Sequence, residues 1–261
     1  MTLLVTSRHP VREYTSIATQ LLSTGHVHAE QVGFVRTPTS PGAQVRLHMA
    51  GDEFCGNACL ALAALKAAEQ GLVRGEATNV VVQASGADAL VNCRVERRGA
   101  GYECELEMPP PQRVEPYSFP GAGTHRSAMV RYADAAHLVV ECDRNDPLMR
   151  ERALRLADHL GRTEGVPVVG VMLFDPASHH LDPLINVPAL DSTVWERSCA
   201  SGTASIGAHL AATSKASVSA SVRQPGGTMH VRAGYDSEGL TTVHVAGHVR
   251  VVAEGTAYVH D

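Results

Sequence analysis

Lysine is nearly missing from this 261-residue chain: only Lys66 and Lys215 occur, both near the ends of alanine-rich stretches. Pyridoxal phosphate is held as a Schiff base on a lysine, and neither lysine adjoins a phosphate-cradling loop. That chemistry is disfavoured, and no cofactor is expected. No apolar run approaches the roughly 20 residues of a membrane span. The start, Met1-Thr-Leu-Leu-Val-Thr, lacks the basic segment and longer apolar core of a secretory signal, so a cytoplasmic protein is expected. No block of like charge is present. The net charge of −5 is the wrong sign for a face that neutralises phosphates, so neither nucleic acid nor membrane is an expected partner. Paired C-x-x-C and H-E-x-x-H spacings are missing too, and no metal site is expected. The fourteen histidines are scattered and read as solvated surface residues.

What is present is an ordinary apolar fraction of 44% on a chain long enough for one large domain or two modest lobes. Pro10 opens a helical stripe that Gly25 closes. Strands are predicted over 31–35 and 45–49, a small-residue helix over 58–69, and strands over 80–83, 89–96 and 103–108. The run Pro109-Pro110-Pro111 reads as a linker, placing a boundary near Arg113. Strand material follows over 128–140, and Asp146-Pro147 starts a helix that Gly161 ends. A buried strand is predicted over 168–174, a second small-residue helix over 203–212, and strands over 218–223, 230–233, 241–245 and 249–253.

The order of these features repeats. Glu53, Cys55 and Gly56-Asn57 lead into one alanine-rich helix, followed by Val82-Gln83-Ala84-Ser85-Gly86. Glu196, Cys199 and Ala200-Ser201-Gly202 lead into the other, followed by Arg223-Gln224-Pro225-Gly226-Gly227. Cys199 lies 144 positions after Cys55, and Gln224 lies 141 after Gln83. Two marks at nearly one offset suggest two lobes of one design.

Six cysteines occur: Cys55, Cys59, Cys93, Cys104, Cys142 and Cys199. In a reducing cytosol they are free thiols. Cys59, Cys93, Cys104 and Cys142 read as inert buried residues. Cys55 and Cys199 differ, because each stands where a tight turn becomes a helix. The first N–H groups of a helix lack partners within it and favour negative charge. They can hold a carboxylate, and they draw a thiol down from its ordinary pKa of about 8.5. Gly56, Asn57, Ala200, Ser201 and Gly202 are small enough to let a ligand reach the backbone. Two such helix starts, each with a thiol, suit an α-amino acid: one thiolate removes the α-proton and the other thiol returns one to the opposite face. Glu196, with Arg197, abuts the second thiol and is read as shaping it or the substrate amine. Trp195 reads as core or pocket wall.

At these residues the sequence resembles the diaminopimelate epimerase and proline racemase superfamily, with Glu53-Phe-Cys55-Gly-Asn57-Ala in the first half and Ser198-Cys199-Ala-Ser-Gly-Thr203 in the second. Within it the chain is similar to the histidine racemases of staphylopine-type metallophore synthesis, through Glu30-Gln-Val-Gly-Phe34, residues 51–58, Gly170-Val-Met-Leu-Phe-Asp175, residues 195–207 and Gln224-Pro-Gly-Gly227. The resemblance implies an α+β fold of two pseudo-symmetric lobes, each a sheet wrapped around a central helix. The lobes would be 1–113 and 114–248, with a last strand in 249–261 returning to the first. It implies a homodimer and catalysis by Cys55 and Cys199. Ala135 and Val168 or Val169 stand where the epimerases carry asparagines for the far end of diaminopimelate, which argues for a substrate without a second amino-acid head. Histidine is the expected substrate, with Glu30, beside Gln31, accepting a hydrogen bond from its imidazole. The family's first strand carries a Gly-Asn pair upstream of the segment matched by Met1–Val5, so Met1 is expected to be an internal methionine. Diaminopimelate epimerase, another racemase, and a non-catalytic amino-acid-binding homologue remain alternatives.

Overall fold

The computed structural model describes residues 1–119, 125–144 and 146–260, which divide into two compact units. The first unit comprises residues 1–106 and 246–260, the second 107–245. The division falls before the proline triplet, inside a strand that runs on to Met108. It is an α+β fold dominated by strands.

In the first unit, β1 (Thr2–Val5) pairs in parallel with β2 (Gln31–Arg36). Helix α1 (Tyr14–Leu22) lies between them in sequence. It starts four residues after Pro10, which instead precedes a short 3-10 turn. Its buried stripe, Tyr14, Ile17, Ala18 and Leu21, meets Val32 and Phe34, with the Tyr14 and Phe34 rings stacked at 3.6 Å. Antiparallel β3 (Val45–Met49) follows, then helix α2 (Gly56–Glu69). Strands β4 (Ala77–Ala84), β5 (Val91–Arg98) and β6 (Gly101–Met108) complete the order β1-β2-β3-β4-β5-β6. Alanine and other small residues let α2 pack against β1 through β5. Eight of its residues are buried, including Cys59, as expected of a helix inside a curved sheet.

The second unit runs β7 (Arg113–Pro116), β8 (Ser127–Arg131), β9 (Ala135–Glu141), helix α3 (Pro147–Thr163), β10 (Val168–Asp175), β11 (His180–Val187) and β12 (Ser192–Trp195). Helix α4 (Ala200–Ser214), β13 (Val218–Gln224) and β14 (Gly227–Asp236) follow, and β15 (Gly239–Val249) runs from this unit into the first at Ala246. Strand order is β7-β8-β9-β10-β11-β13-β14, with β12 pairing off β11. Helix α4 touches β7 through β10, β13 and β14, so the sheet curls around it. Gly207 allows the closest approach: a Cβ there would stand 2.4 Å from Val231 Cγ2. Amphipathic α3 covers β10 and β11 from the other side, burying Met149, Ala153, Ala157 and Leu160.

Several expectations are corrected. Asp146 does cap α3, accepting the Leu148 N–H at 2.9 Å, but Gly161 lies inside the helix. A Cβ at Gly161 would stand 2.6 Å from Asn186 Oδ1, so that glycine serves close packing. Helix α4 starts at Ala200, three residues before the predicted start. No strand follows Val249 among the described residues. Residues 250–260 are tied down instead by side chains, as Gln20 Nε2 donates to His260 O (2.7 Å) and Gln20 Oε1 accepts from His260 N (2.9 Å). One primary amide thereby supplies the donor and acceptor that a neighbouring strand would have offered. The histidines are not all solvated: His137, His180 and His209 are buried.

Candidate active site

Both candidate thiols stand at helix N-caps, each in its own unit. Cys55 caps α2 with extended backbone (φ −128, ψ 104), and Cys199 caps α4 likewise (φ −136, ψ 113). An N-cap needs this geometry so that its carbonyl can start the helix. Cys59 N–H bonds to Cys55 O and Thr203 N–H to Cys199 O, both at 3.0 Å. All six cysteines are free thiols. Cys55 is half-buried; Cys199 is buried with the remaining four.

In the first unit, Ser85 supports the turn before Cys55, donating to Glu53 O and accepting from Met49 N–H, both at 2.9 Å. Gly56 is buried at the first position of α2 and Glu53 is buried beside the turn. Asn57 Nδ2 reaches Gln31 Oε1 at 3.4 Å, which also accepts from Thr2 Oγ1 at 2.7 Å. Gln31 and Asn57 are thus brought together at the mouth of α2. Glu30 precedes them, its carboxylate 2.7 Å from the Met1 ammonium and its amide bonded to Met1 O.

In the second unit, three tethers hold the segment leading to Cys199. Glu196 N–H donates to Pro183 O (3.0 Å), Arg197 O accepts from Gly226 N–H (2.5 Å), and Cys199 N–H donates to Gln224 Oε1 (2.7 Å). Any side chain at Gly226 would press on Arg197 O, since a Cβ would stand 2.8 Å away. The Arg197 side chain is exposed, and its carbonyl forms one of these three tethers. Trp195 is partly buried against the core, with the Arg150 guanidinium 4.0 Å over its ring. Ala200 is buried at the first position of α4. Cys199 Sγ accepts from Gly202 N–H at 3.3 Å and lies 3.4 Å from Ser201 Oγ. Gly202 leaves room for Met172 Sδ, which would lie 2.7 Å from a Cβ there.

The charge balance at Cys199 differs from what the helix start alone predicts. Burial, then the Glu196 carboxylate, push the thiol well above its ordinary range, and Glu196 also hydrogen-bonds its protonated form. The Ser201 hydroxyl and Gly202 N–H work the other way without reversing it. Low dielectric penalises the thiolate more than one N–H relieves it. Cys199 therefore rests protonated at neutral pH.

Behind Cys199 the Ser205 hydroxyl, on α4, lies 2.8 Å from both Tyr132 Oη and His137 Nδ1. Burial holds His137 down at about 4, so its ring is neutral. The sequence reading missed Gln224, Thr203 and this cluster as parts of the site. Gln224 stood out only as a mark of the repeat, and Thr203 and the cluster only as polar residues inside small-residue helices or apolar strands. The two departures noted at Ala135 and Val168 are register partners on β9 and β10. Among the described residues no group of three or more His, Cys, Asp or Glu side chains could hold a metal, and no helix is long and apolar enough to cross a membrane.

Comparison with known proteins agrees with the fold. The family model described as the Histidine racemase CntK N-terminal domain matches residues 1–258. A histidine racemase of Staphylococcus aureus (strain Mu50 / ATCC 700699) is 34% identical over 99% of this chain and 94% of its own length. Among solved structures, a predicted epimerase from Pseudomonas aeruginosa superposes with a TM-score of 0.65 at 16% identity, over 97% of this chain and 90% of that one. A probable proline racemase from Agrobacterium radiobacter K84 superposes with a TM-score of 0.63 at 14% identity, over the same shares. With the family model spanning nearly every residue and a third of positions shared with a racemase end to end, this chain belongs to the histidine racemase family and is an amino-acid racemase.

Proposed function

We propose that the enzyme interconverts L- and D-histidine without a cofactor, using Cys55 and Cys199 as paired acid and base. The observation that carries this reading is the cysteine at the N-cap of a small-residue helix in each unit. The two units are then repeats of one design. The substrate carboxylate takes backbone N–H groups at the helix starts, with Gly56, Asn57, Ala200, Ser201 and Gly202 leaving the backbone open to it. Cys55 Sγ, as thiolate, removes the α-proton; the charge passes onto the carboxylate; Cys199 Sγ–H delivers a proton to the other face. No electrons are transferred. The product leaves Cys55 protonated and Cys199 ionised, ready for the reverse direction. Holding Cys199 protonated at rest is the task of burial and Glu196.

Histidine is favoured because the start of β9 and β10 offers Ala135 and Val168, not a second carboxylate-binding pair. Glu30, with Gln31 beside it, is the acceptor for the imidazole. The family resemblance supports a homodimer working in the cytoplasm and supplying D-histidine for metallophore synthesis. The test is D-histidine formation from L-histidine by chiral chromatography, beside L-proline and LL-diaminopimelate. Histidine is expected to turn over fastest, and Glu30→Ala to remove most of that turnover while Glu30→Gln weakens it. Faster turnover of either competitor would sink the substrate assignment and leave the two-thiol chemistry standing.

A further inference from the structure

A closed ring of hydrogen bonds surrounds the backbone of Cys199. Gln224 Oε1 accepts from Cys199 N–H, Gln224 Nε2 donates to Thr203 Oγ1, and Thr203 Oγ1 donates to Cys199 O, each at 2.7 Å. Gln224 is 5% exposed and Thr203 is fully buried. The N–H of an N-cap residue has no partner inside its helix, and water usually takes it. Here a side chain does so from the end of β13, and the same amide also pins the hydroxyl that holds the next carbonyl. Both peptide groups flanking the Cys199 Cα are therefore fixed.

We infer that Gln224 is a positioning residue for Cys199, holding its backbone so that Sγ stays on the Gly202 N–H and beside the Ser201 hydroxyl. This rests on the two-thiol reading above. Water or an apolar side chain could occupy the space left by Gln224, but neither links Cys199 N–H to Thr203. The thiol would then swing away from the two groups that favour its ionised form, leaving burial and Glu196 unopposed. Proton transfer through Cys199 would slow in both directions, while Cys55 would keep its own contacts. Gln83, the counterpart by sequence offset, does different work: its Oε1 accepts from Thr39 N–H (2.8 Å) and Ser40 N–H (3.2 Å). The device thus belongs to the second thiol.

The test uses the full-length enzyme in deuterium oxide with L- and D-histidine as separate substrates. Inversion is read by chiral chromatography, and α-deuterium in the uninverted substrate by mass spectrometry. Gln224→Met preserves bulk and Thr203→Val preserves shape, so both variants remain usable if Gln224→Ala folds poorly. Each is expected to lower kcat for racemisation about 10- to 100-fold, the effect of misplacing a reacting group by an ångström or so, with KM little changed. One enantiomer only, the one whose proton Cys55 removes, is expected to gain deuterium faster than it inverts. A merely structural loss would lower exchange and inversion together, and that result would overturn the assignment, as would wild-type racemisation in Gln224→Met and Thr203→Val. A Cys199→Ser control separates the two readings: if it still racemises, the two-thiol reading itself has failed.

Discussion

Cys55→Ser and Cys199→Ser are each expected to lose racemisation by about 10²- to 10⁴-fold, the range by which a positioned acid or base accelerates proton transfer. A serine hydroxyl fits the thiol's place but is a far weaker acid, so it can neither hold the thiolate's charge nor accept the α-proton near neutral pH. Inversion needs one group on each face, so losing either has the same consequence. Each single variant should keep α-proton exchange on one enantiomer, and the two variants on opposite enantiomers. Cys59→Ser, one helical turn beyond Cys55, is expected to retain activity: Cys59 is buried and its thiol is held far above the ordinary range, first by burial and then by Cys93 and Cys55. Initial rates in both directions check this. Wild-type rates in Cys55→Ser would refute the assignment.

Alkaline pH is expected to unfold the protein well before it would an average domain. Five thiols are raised by burial: Cys93, Cys104 and Cys142 to about 12, Cys59 and Cys199 by burial ahead of charged neighbours. Unfolded thiols ionise near about pH 8.5. Because the folded values lie above the unfolded one, this stabilisation is complete below about pH 8.5 and is lost as pH climbs toward the folded values. At pH 10 Cys93 and Cys104 each forfeit about 1–2 kcal/mol, and the other three act in the same direction, against a domain's total stability of about 5–15 kcal/mol. His137 works at the other end. Its folded value of about 4 lies below the ordinary 6.5 or so, contributing about 3 kcal/mol above that pH, lost as pH falls through about 4. Urea midpoints under reducing conditions at pH 7.5, 9 and 10 measure the alkaline limb. Equal midpoints at all three would contradict the buried-thiol account.

The thiol helices were legible because their signal is local: an acidic residue, a cysteine and small residues before an alanine run. Long-range partners were not. Gln224 attracted notice as a repeat mark, yet its work is set by Thr203 and Cys199, 21 and 25 positions away. His137 sits in the apolar run of β9, which signals burial, but its partner Ser205 lies 68 positions away. Strand β11 escaped because Pro183 lies inside it, and proline removes a ladder donor. The fold tolerates it where pairing with β12 stops, at Leu184 with Trp195, and Pro183 O takes the Glu196 N–H. Gly161 looked like a helix end because glycine usually is one there, whereas its reason is Asn186 on another strand.

The most direct test of two-thiol racemisation is the isotope pattern of the wild-type enzyme acting on L-histidine in deuterium oxide, sampled at early turnover. The proton removed stays on one thiol, and the proton delivered comes from the other, which has equilibrated with solvent. The D-histidine formed should carry deuterium at the α-carbon, while the remaining L-histidine should carry none. D-histidine that keeps its original α-proton would show one group moving the proton from face to face, and would contradict the pairing of Cys55 with Cys199.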